Sequence, residues 1–122
     1  MPQRKEQFVA ELVECCPSLR DIVDEHVRDF DGEVLLHLLI ADVRRFALGC
    51  FQSGESDVLS SCLDVVAGGL SLGDDYVENA VAVSFVEDTP WWDPSMEPFM
   101  AVWPDALRSE VEHQRGRGGA SG

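Results

Sequence analysis

The residues best suited to recognising another molecule lie between Glu87 and Trp103. Aromatic and thioether side chains stand among carboxylates there: Trp91, Trp92, Met96, Phe99, Met100 and Trp103 among Glu87, Asp88, Asp93, Glu97 and Asp105. Aromatic anchors inside a polar rim are typical of protein-binding hot spots. The predicted binding residues are therefore Trp91, Trp92, Asp88, Asp93 and Glu97. The competing interpretation is a lid over the core that buries at least two of the three tryptophans, because large aromatic side chains are mostly buried.

A second polar constellation is the pair His26 and Asp42, which fall on or beside the apolar stripes of two predicted helices. An unpartnered buried carboxylate is strongly destabilising, so Asp42 must lie at the margin of its stripe or have a partner. We predict a buried polar pair between these residues. The simpler interpretation of His26 is an imidazole at the edge of the core, bonded to a backbone carbonyl or a carboxylate. A third interpretation is an enzyme or ligand-binding pocket that involves His26, Asp42 or His37.

The remaining reactive side chains match no catalytic or metal-binding pattern. Four cysteines occur without a CxxC pair or a histidine at ligand spacing: Cys15, Cys16, Cys50 and Cys62. In a reducing compartment they are expected to be small buried apolar residues. Glu33 and His37 stand one helical turn apart but lack the second helix of ligands that a carboxylate metal site needs. We therefore predict no catalytic residue, no metal and no cofactor.

The charge balance bears on the kind of partner. The chain has 23 acidic residues against 9 lysines and arginines, a formal net charge of −14. Binding to nucleic acid or to anionic membranes needs clustered basic residues, so both are disfavoured. A basic protein partner is favoured, although the charge could equally serve solubility alone. No apolar run approaches the ~20 residues of a membrane span, and no secretory signal is evident, so we expect a cytoplasmic protein.

The elements that position these residues are predicted to be helices, because apolar residues recur at helical spacing. The predicted segments are 3–16, 18–30, 33–51, 58–66, 75–88, 94–103 and a last helix that Pro104 opens, 104–114. Pro17 should end the first segment, Ser18 with Asp21 should cap the second, and Gly68-Gly69 should stop the fourth. Leu70 and Leu72, beyond those glycines, are expected to dip into the core.

The segment from Asp74 to Asp88 is apolar on nearly every side and should be the central element. Its β-branched run from Val81 to Val86 leaves a strand as the alternative. A capping pattern formed by Asp75 and Glu78, together with the stop at Pro90, favours a helix. The predicted fold class is therefore all-α: a compact bundle of about six helices around a central apolar helix, roughly 75–88.

The length of 122 residues suits a single domain with a hydrophobic core of its own. We assign residues 1–115 to this all-helical domain. The last residues, 116–122, read GRGGASG and carry almost no side chains to pack. They are expected to form a disordered C-terminal tail.

The chain resembles an uncharacterised bacterial family of small, acidic, all-helical proteins. The resemblance rests on FVAELVECCPSLRDIVDEHVRDFDGEVLLHLLIADVRRF, YVENAVAVSFVED and PDALRSEVEHQR, which together span most of residues 8–115. It implies the helical fold and supplies no catalytic residue. Small acidic helical proteins of this kind also look like bacterial immunity proteins, which block a basic toxin through surface charge.

Three functional hypotheses follow. The leading one is a non-enzymatic acidic protein-interaction module, most concretely an immunity-type inhibitor of a basic toxin. The second is a small helical enzyme or ligand-binding protein with its pocket near His26 and Asp42. The third is a self-associating helical module, a homodimer joined through its exposed aromatic loop.

Overall fold

The computed structural model describes residues 2–121, and the side chains of residues 2–116, as an all-helical protein. The α-helices are α1 Lys5–Cys15, α2 Arg20–Asp29, α3 Leu36–Ser53, α4 Ser56–Leu72, α5 Asp75–Val81, α6 Glu97–Met100 and α7 Asp105–Ser121. A π-helical segment, Ala82–Glu87, continues α5 directly, and 3-10 turns cover Pro17–Leu19 and Pro94–Met96. No strand occurs among the described residues, so the prediction of an all-α fold is confirmed.

Helices α3, α4 and α5 with its π segment form the centre of the molecule, and each of them contacts the other two. Helix α1 packs along α4, α2 packs on α3, and α7 contacts both α4 and the π segment. The core is continuous across these contacts. Its largest fully buried side chains come from seven helical elements along the chain: Phe8, Phe85, Phe99, Leu12, Leu19, Leu36, Leu39, Ile40, Leu63 and Leu107.

The central segment is helical throughout, as predicted, and the strand alternative is wrong. Its N-cap is Asp74, whose side chain accepts a hydrogen bond from the backbone N–H of Val77 at 2.9 Å. The predicted cap, Asp75, is therefore one residue too late and lies in the first turn. The segment is not buried on every side, since Tyr76 and Val83 are 43% and 40% exposed. One face of the central helix is left open to solvent.

The start of α2 departs from the predicted cap at Ser18. A 3-10 turn, Pro17–Leu19, leads straight into α2, and the residue before the helix, Leu19, is itself in the right-handed helical conformation. A capping side chain has no free first amide to satisfy when a preceding turn already continues the helical backbone. Leu19 is instead fully buried, so this turn serves to insert a core residue.

Helix α4 continues past Gly68 and Gly69 to Leu72, so the predicted stop there is wrong. The reason is tertiary. A Cβ built on Gly69 would lie 2.5 Å from Cε1 of Phe8, which means that the glycine makes room for the ring of Phe8 within the helix. Leu70 is half-buried against the core as expected, whereas Leu72 is 67% exposed and does not enter it.

The ends of the chain also differ from expectation. Helix α1 starts at Lys5 rather than at Gln3, because the backbone of Gln3 pairs with Leu72 and Asp74 at 2.8 and 2.7 Å. Helix α7 carries helical backbone to Ser121, across most of the segment 116–122 that the sequence assigns to a disordered tail, and Gly122 lies outside the described residues. The division into a domain of residues 1–115 and a tail stays a prediction.

Candidate protein-binding surface

The dipeptide Trp91-Trp92 follows the π segment, and the two indoles have different environments. Trp91 is half-buried and packs on the core, and its Nε1–H donates to Oε1 of Gln114 at 3.1 Å. The guanidinium of Arg115 lies 5.8 Å from the centre of the Trp91 ring. This contact is within the range of a cation–π interaction. Trp91 is therefore held by α7 from two sides.

Trp92 is 68% exposed, the most exposed of the large apolar side chains in the described part of the chain. It touches Trp91 edge to face, with ring centroids 5.5 Å apart. Trp103 is the reverse case: it is buried and packs against Phe85 and Phe99, each at 5.5 Å between centroids. The lid interpretation thus fits Trp103, which is buried, and in part Trp91, which is half-buried. Trp92 is exposed and could serve a partner as an aromatic anchor.

The carboxylates predicted around these tryptophans are exposed, and two of them also have structural contacts. Asp88 lies 3.4 Å from Nε of Arg44, and this contact is an ion pair rather than an aligned hydrogen bond. Asp93 caps the turn Pro94–Met96 by accepting from the backbone N–H of Ser95 at 3.0 Å. That hydrogen bond holds the pKa of Asp93 below its ordinary value. Glu97, in the first turn of α6, is exposed.

A groove lies between the central segment and α7, and we call it the acidic groove. It has a volume of about 660 Å³. Four carboxylates line it, from α5, the π segment and α7: Asp75, Glu78, Glu87 and Glu110. Tyr76 and Val83 add the exposed apolar surface. His113 also lines the groove, and no lysine or arginine occurs among the lining residues that the structure describes.

Sequence reasoning missed the acidic groove, although part of its signal was present. Positions 75, 78, 79, 82, 83 and 87 fall on one face of a helix, and most of them are polar. This polar face predicts the solvent-exposed side of the central segment, although the many apolar residues of the segment indicate burial. The other wall comes from α7, and nothing in the local sequence shows that α7 would lie opposite.

Gln114 joins the acidic groove to the tryptophan dipeptide. It is buried, and its Nε2 donates to the backbone carbonyl of Ala82 at 3.0 Å and to Oε2 of Glu110 at 2.9 Å. Its Oε1 accepts from Trp91. One amide side chain therefore ties α7 to the start of the π segment and fixes Trp91 at the same time. The groove and the dipeptide are thus linked through one buried side chain.

The polar pair predicted at His26 and Asp42 takes a different form. Both residues line a surface depression of about 440 Å³, but no hydrogen bond between them occurs in the part of the chain that the structure describes. Nε2 of His26 accepts from the backbone N–H of Leu35 at 2.9 Å, and Asp42 pairs with Arg45. The ring of His26 is buried, as expected for a core-edge imidazole, but its partner is an amide rather than a carbonyl. Because an amide N–H can only donate, Nε2 of His26 is the acceptor in this hydrogen bond.

Comparison with known families places the chain. Residues 9–117 match the model of a domain of unknown function, DUF7674. The chain belongs to this family. The family has no assigned activity, so membership confirms an uncharacterised family and gives no functional residue to carry over. Neither the curated proteins nor the solved structures contain a match to the chain.

Two histidines of this DUF7674 chain lie at or beside the acidic groove, since His113 lines it and His37 contacts the groove residue Tyr76. His37 contacts Oγ of the buried Ser84 at 3.2 Å and the ring of Tyr76 at 5.9 Å between centroids. Three cysteines are buried, which raises the pKa of each thiol, and only Cys15 is exposed: the buried ones are Cys16, Cys50 and Cys62. Within the described residues, no group of three or more His, Cys, Asp or Glu side chains could hold a metal ion.

None of the helices within residues 2–121 combines the length and the apolar character needed to cross a membrane.

Proposed function

We propose that this protein is a non-enzymatic, acidic protein-interaction module whose partner is a basic protein. The observation that carries the proposal is the exposure of Trp92, at 68%, beside an indole that α7 holds in place. An exposed indole that becomes buried at the centre of an interface typically contributes about 2 kcal/mol to binding. Because Trp91 is already fixed, little of that gain is lost to ordering the neighbouring side chain.

Charge supports a basic partner. The formal net charge is −14, and several of the few cations are already used inside the molecule: Arg44, Arg45 and Arg115 each pair with a carboxylate. The surplus carboxylates therefore face outward. Complementary charge of this kind speeds encounter with a basic protein and disfavours acidic competitors.

In its most concrete form, the proposal is an immunity-type inhibitor that acts in the bacterial cytoplasm and blocks a basic toxin. The support for this form is the combination of small size, helical fold and acidic surface, and it is an argument from analogy. Homodimerisation through Trp92 is the second candidate, and the same exposed indole favours it.

The test is affinity capture from the native host with the full chain as bait, at low and at high salt, followed by titration of the purified partner. The expected partner is a basic protein that is retained at low salt and lost at high salt. Trp92→Ala should weaken its binding by roughly 30-fold, as for a hot-spot residue worth about 2 kcal/mol. Leu72→Ala is the matched control, since Leu72 is 67% exposed but precedes the central segment instead of following it.

Equal binding by the Trp92→Ala and Leu72→Ala variants would remove the tryptophan from the interface. Capture of no basic protein would contradict the proposed role itself. Light scattering on the bait alone separates the second candidate, because a dimer that Trp92→Ala dissociates would show that the indole serves self-association.

A further inference from the structure

We propose that the acidic groove receives a cationic helical segment of the partner, with an apolar side chain of that segment packed on Tyr76 and Val83. This inference rests on the proposed function and names the part of the partner that the groove would bind. The groove is lined by two partly exposed apolar side chains and by carboxylates from Asp75 to Glu110. A helix with lysines or arginines around an apolar residue complements both features.

Tyr76 and Val83 form the exposed apolar part of the groove. Single exposed apolar residues are common on protein surfaces and need no explanation. Tyr76 and Val83 are different, because both line the same groove and are 43% and 40% exposed while acidic residues surround them. They stand seven residues apart, two turns of one helix, so their side chains share a face. Water covers this apolar surface unless a partner does.

The shape of the groove favours a helix over an extended peptide. Its lining on the central segment runs from Asp75 to Glu87, which is about 18 Å at the rise of an α-helix. About three turns of a second helix fit along that length. An extended peptide commonly binds by adding to the edge of a sheet. The described residues offer no strand for such an edge.

The wall is preformed, which lowers the cost of binding. Gln114 is 6% exposed and bonds to the carbonyl of Ala82 on one side of the groove and to Glu110 on the other. Its hydrogen bonds fix the distance between α7 and the π segment before any partner arrives. A groove that needs no reorganisation loses less binding energy to ordering.

Small cations are the competing occupants. No metal-binding group of three or more suitable side chains occurs among the described residues. A polyamine would satisfy the carboxylates, but it has no apolar side chain for Tyr76 and Val83. These two side chains therefore distinguish a helix from a polyamine as the ligand, and an experiment can vary them alone.

The probe is a synthetic helical peptide of about 14 residues, rich in lysine and alanine, with two leucines four positions apart. Its control replaces both leucines with serine and keeps the charge. Titration into the isotopically labelled full chain, followed by NMR, should shift the resonances of Tyr76, Asn79 and Val83. The leucine peptide should bind at least tenfold more tightly than the serine peptide.

Two matched pairs of variants test the contacts. Val83→Ser should lower the affinity for the leucine peptide about tenfold. Val102→Ser should leave that affinity unchanged, because Val102 is 49% exposed but lies outside the groove. Glu87→Lys should lower the affinity for the leucine peptide more than Asp24→Lys does. Asp24→Lys makes the same change in net charge on the exposed side of α2. Circular dichroism checks that each variant is folded.

Equal losses from Glu87→Lys and Asp24→Lys would reduce the binding to bulk charge and overturn the inference. Spermine that produced the same shifts and displaced the leucine peptide at equal concentration would assign the groove to polyamines instead. A native partner that depends on Trp92 but ignores Val83→Ser and Glu87→Lys would leave the proposed function standing without the groove. Groove-specific peptide binding in a protein that captures no basic partner would contradict the function alone.

Discussion

The contact between α1 and α4 and the acidic groove between the central segment and α7 are both seams between two helices, and they are packed differently. At the first seam, Phe8 is fully buried against Gly69, where a Cβ would lie 2.5 Å from the ring. At the second seam, Gln114 ties the helices together, but Tyr76 and Val83 remain about two-fifths exposed. The first seam is closed because a large side chain, Phe8, packs against a glycine, Gly69. The described residues of the second seam include no such pair.

We expect charge to help keep the second seam open. Carboxylates on both walls, from Glu78 on α5 to Glu110 on α7, would lose hydration if the helices moved closer. Like charges on facing walls also repel one another. The protein thus has a tight helix contact where Phe8 meets Gly69, and the seam that it leaves unpacked is the one lined by acidic side chains.

The largest expected effect comes from truncating one aromatic residue at each seam. Phe8→Ala should lower the free energy of unfolding by about 3–5 kcal/mol, because it leaves a cavity in a closed contact. Tyr76→Ala should cost about 1 kcal/mol or less, because its ring is 43% exposed and partly hydrated already. Urea unfolding followed by circular dichroism measures both. Equal losses would mean that the two seams are packed alike and would remove the comparison.

The second prediction concerns the glycine that closes the first seam. Gly69→Ala should destabilise the protein by about 1–3 kcal/mol, because the added methyl group collides with Phe8 and the buried ring has nowhere to go. Gly68→Ala is the matched control in the same helix, with no atom within 4 Å of the new Cβ. It should stabilise the protein by about 0.5–1 kcal/mol through helix propensity. Thermal unfolding of the pair gives the sign of each, and a stabilised Gly69→Ala would show that the ring of Phe8 is free to move.

These glycines also show which helix ends the local sequence can predict and which it cannot. Local patterns predicted the helices well, including the end of α1 before Pro17 and the helical state of the central segment. The same rules place a helix stop at Gly68-Gly69, since glycine is a poor helix former and a good terminator. The partner that keeps Gly69 inside α4 is Phe8, about sixty residues earlier. No local rule contains that contact.

The candidate site divides in the same way. Composition and spacing identified the tryptophans and their carboxylates, and the structure leaves Trp92 exposed among them. The acidic groove needs α7 to lie opposite the central segment, and the bridge through Gln114 depends on a carbonyl of Ala82. The hydrogen bond of His26 to the amide of Leu35 is equally invisible from side-chain patterns, because backbone donors have no sequence signature. Local sequence patterns do not predict contacts between distant segments of the chain.

The smallest effect tests whether charge holds the second seam open. Glu87 is the last residue of the π segment, where the helix dipole disfavours negative charge, and it faces the other groove carboxylates. Glu87→Gln should therefore raise the free energy of unfolding by about 0.3–1 kcal/mol at low salt, and the gain should fade in high salt as screening removes the repulsion. Asp75 lines the same groove from the first turn of α5, where the helix dipole favours its carboxylate, so Asp75→Asn is the matched variant. Its two effects oppose each other, so its change should be near zero. Urea unfolding of both variants at low and high salt measures the difference, and a loss of stability in Glu87→Gln would show that attraction rather than repulsion governs the groove.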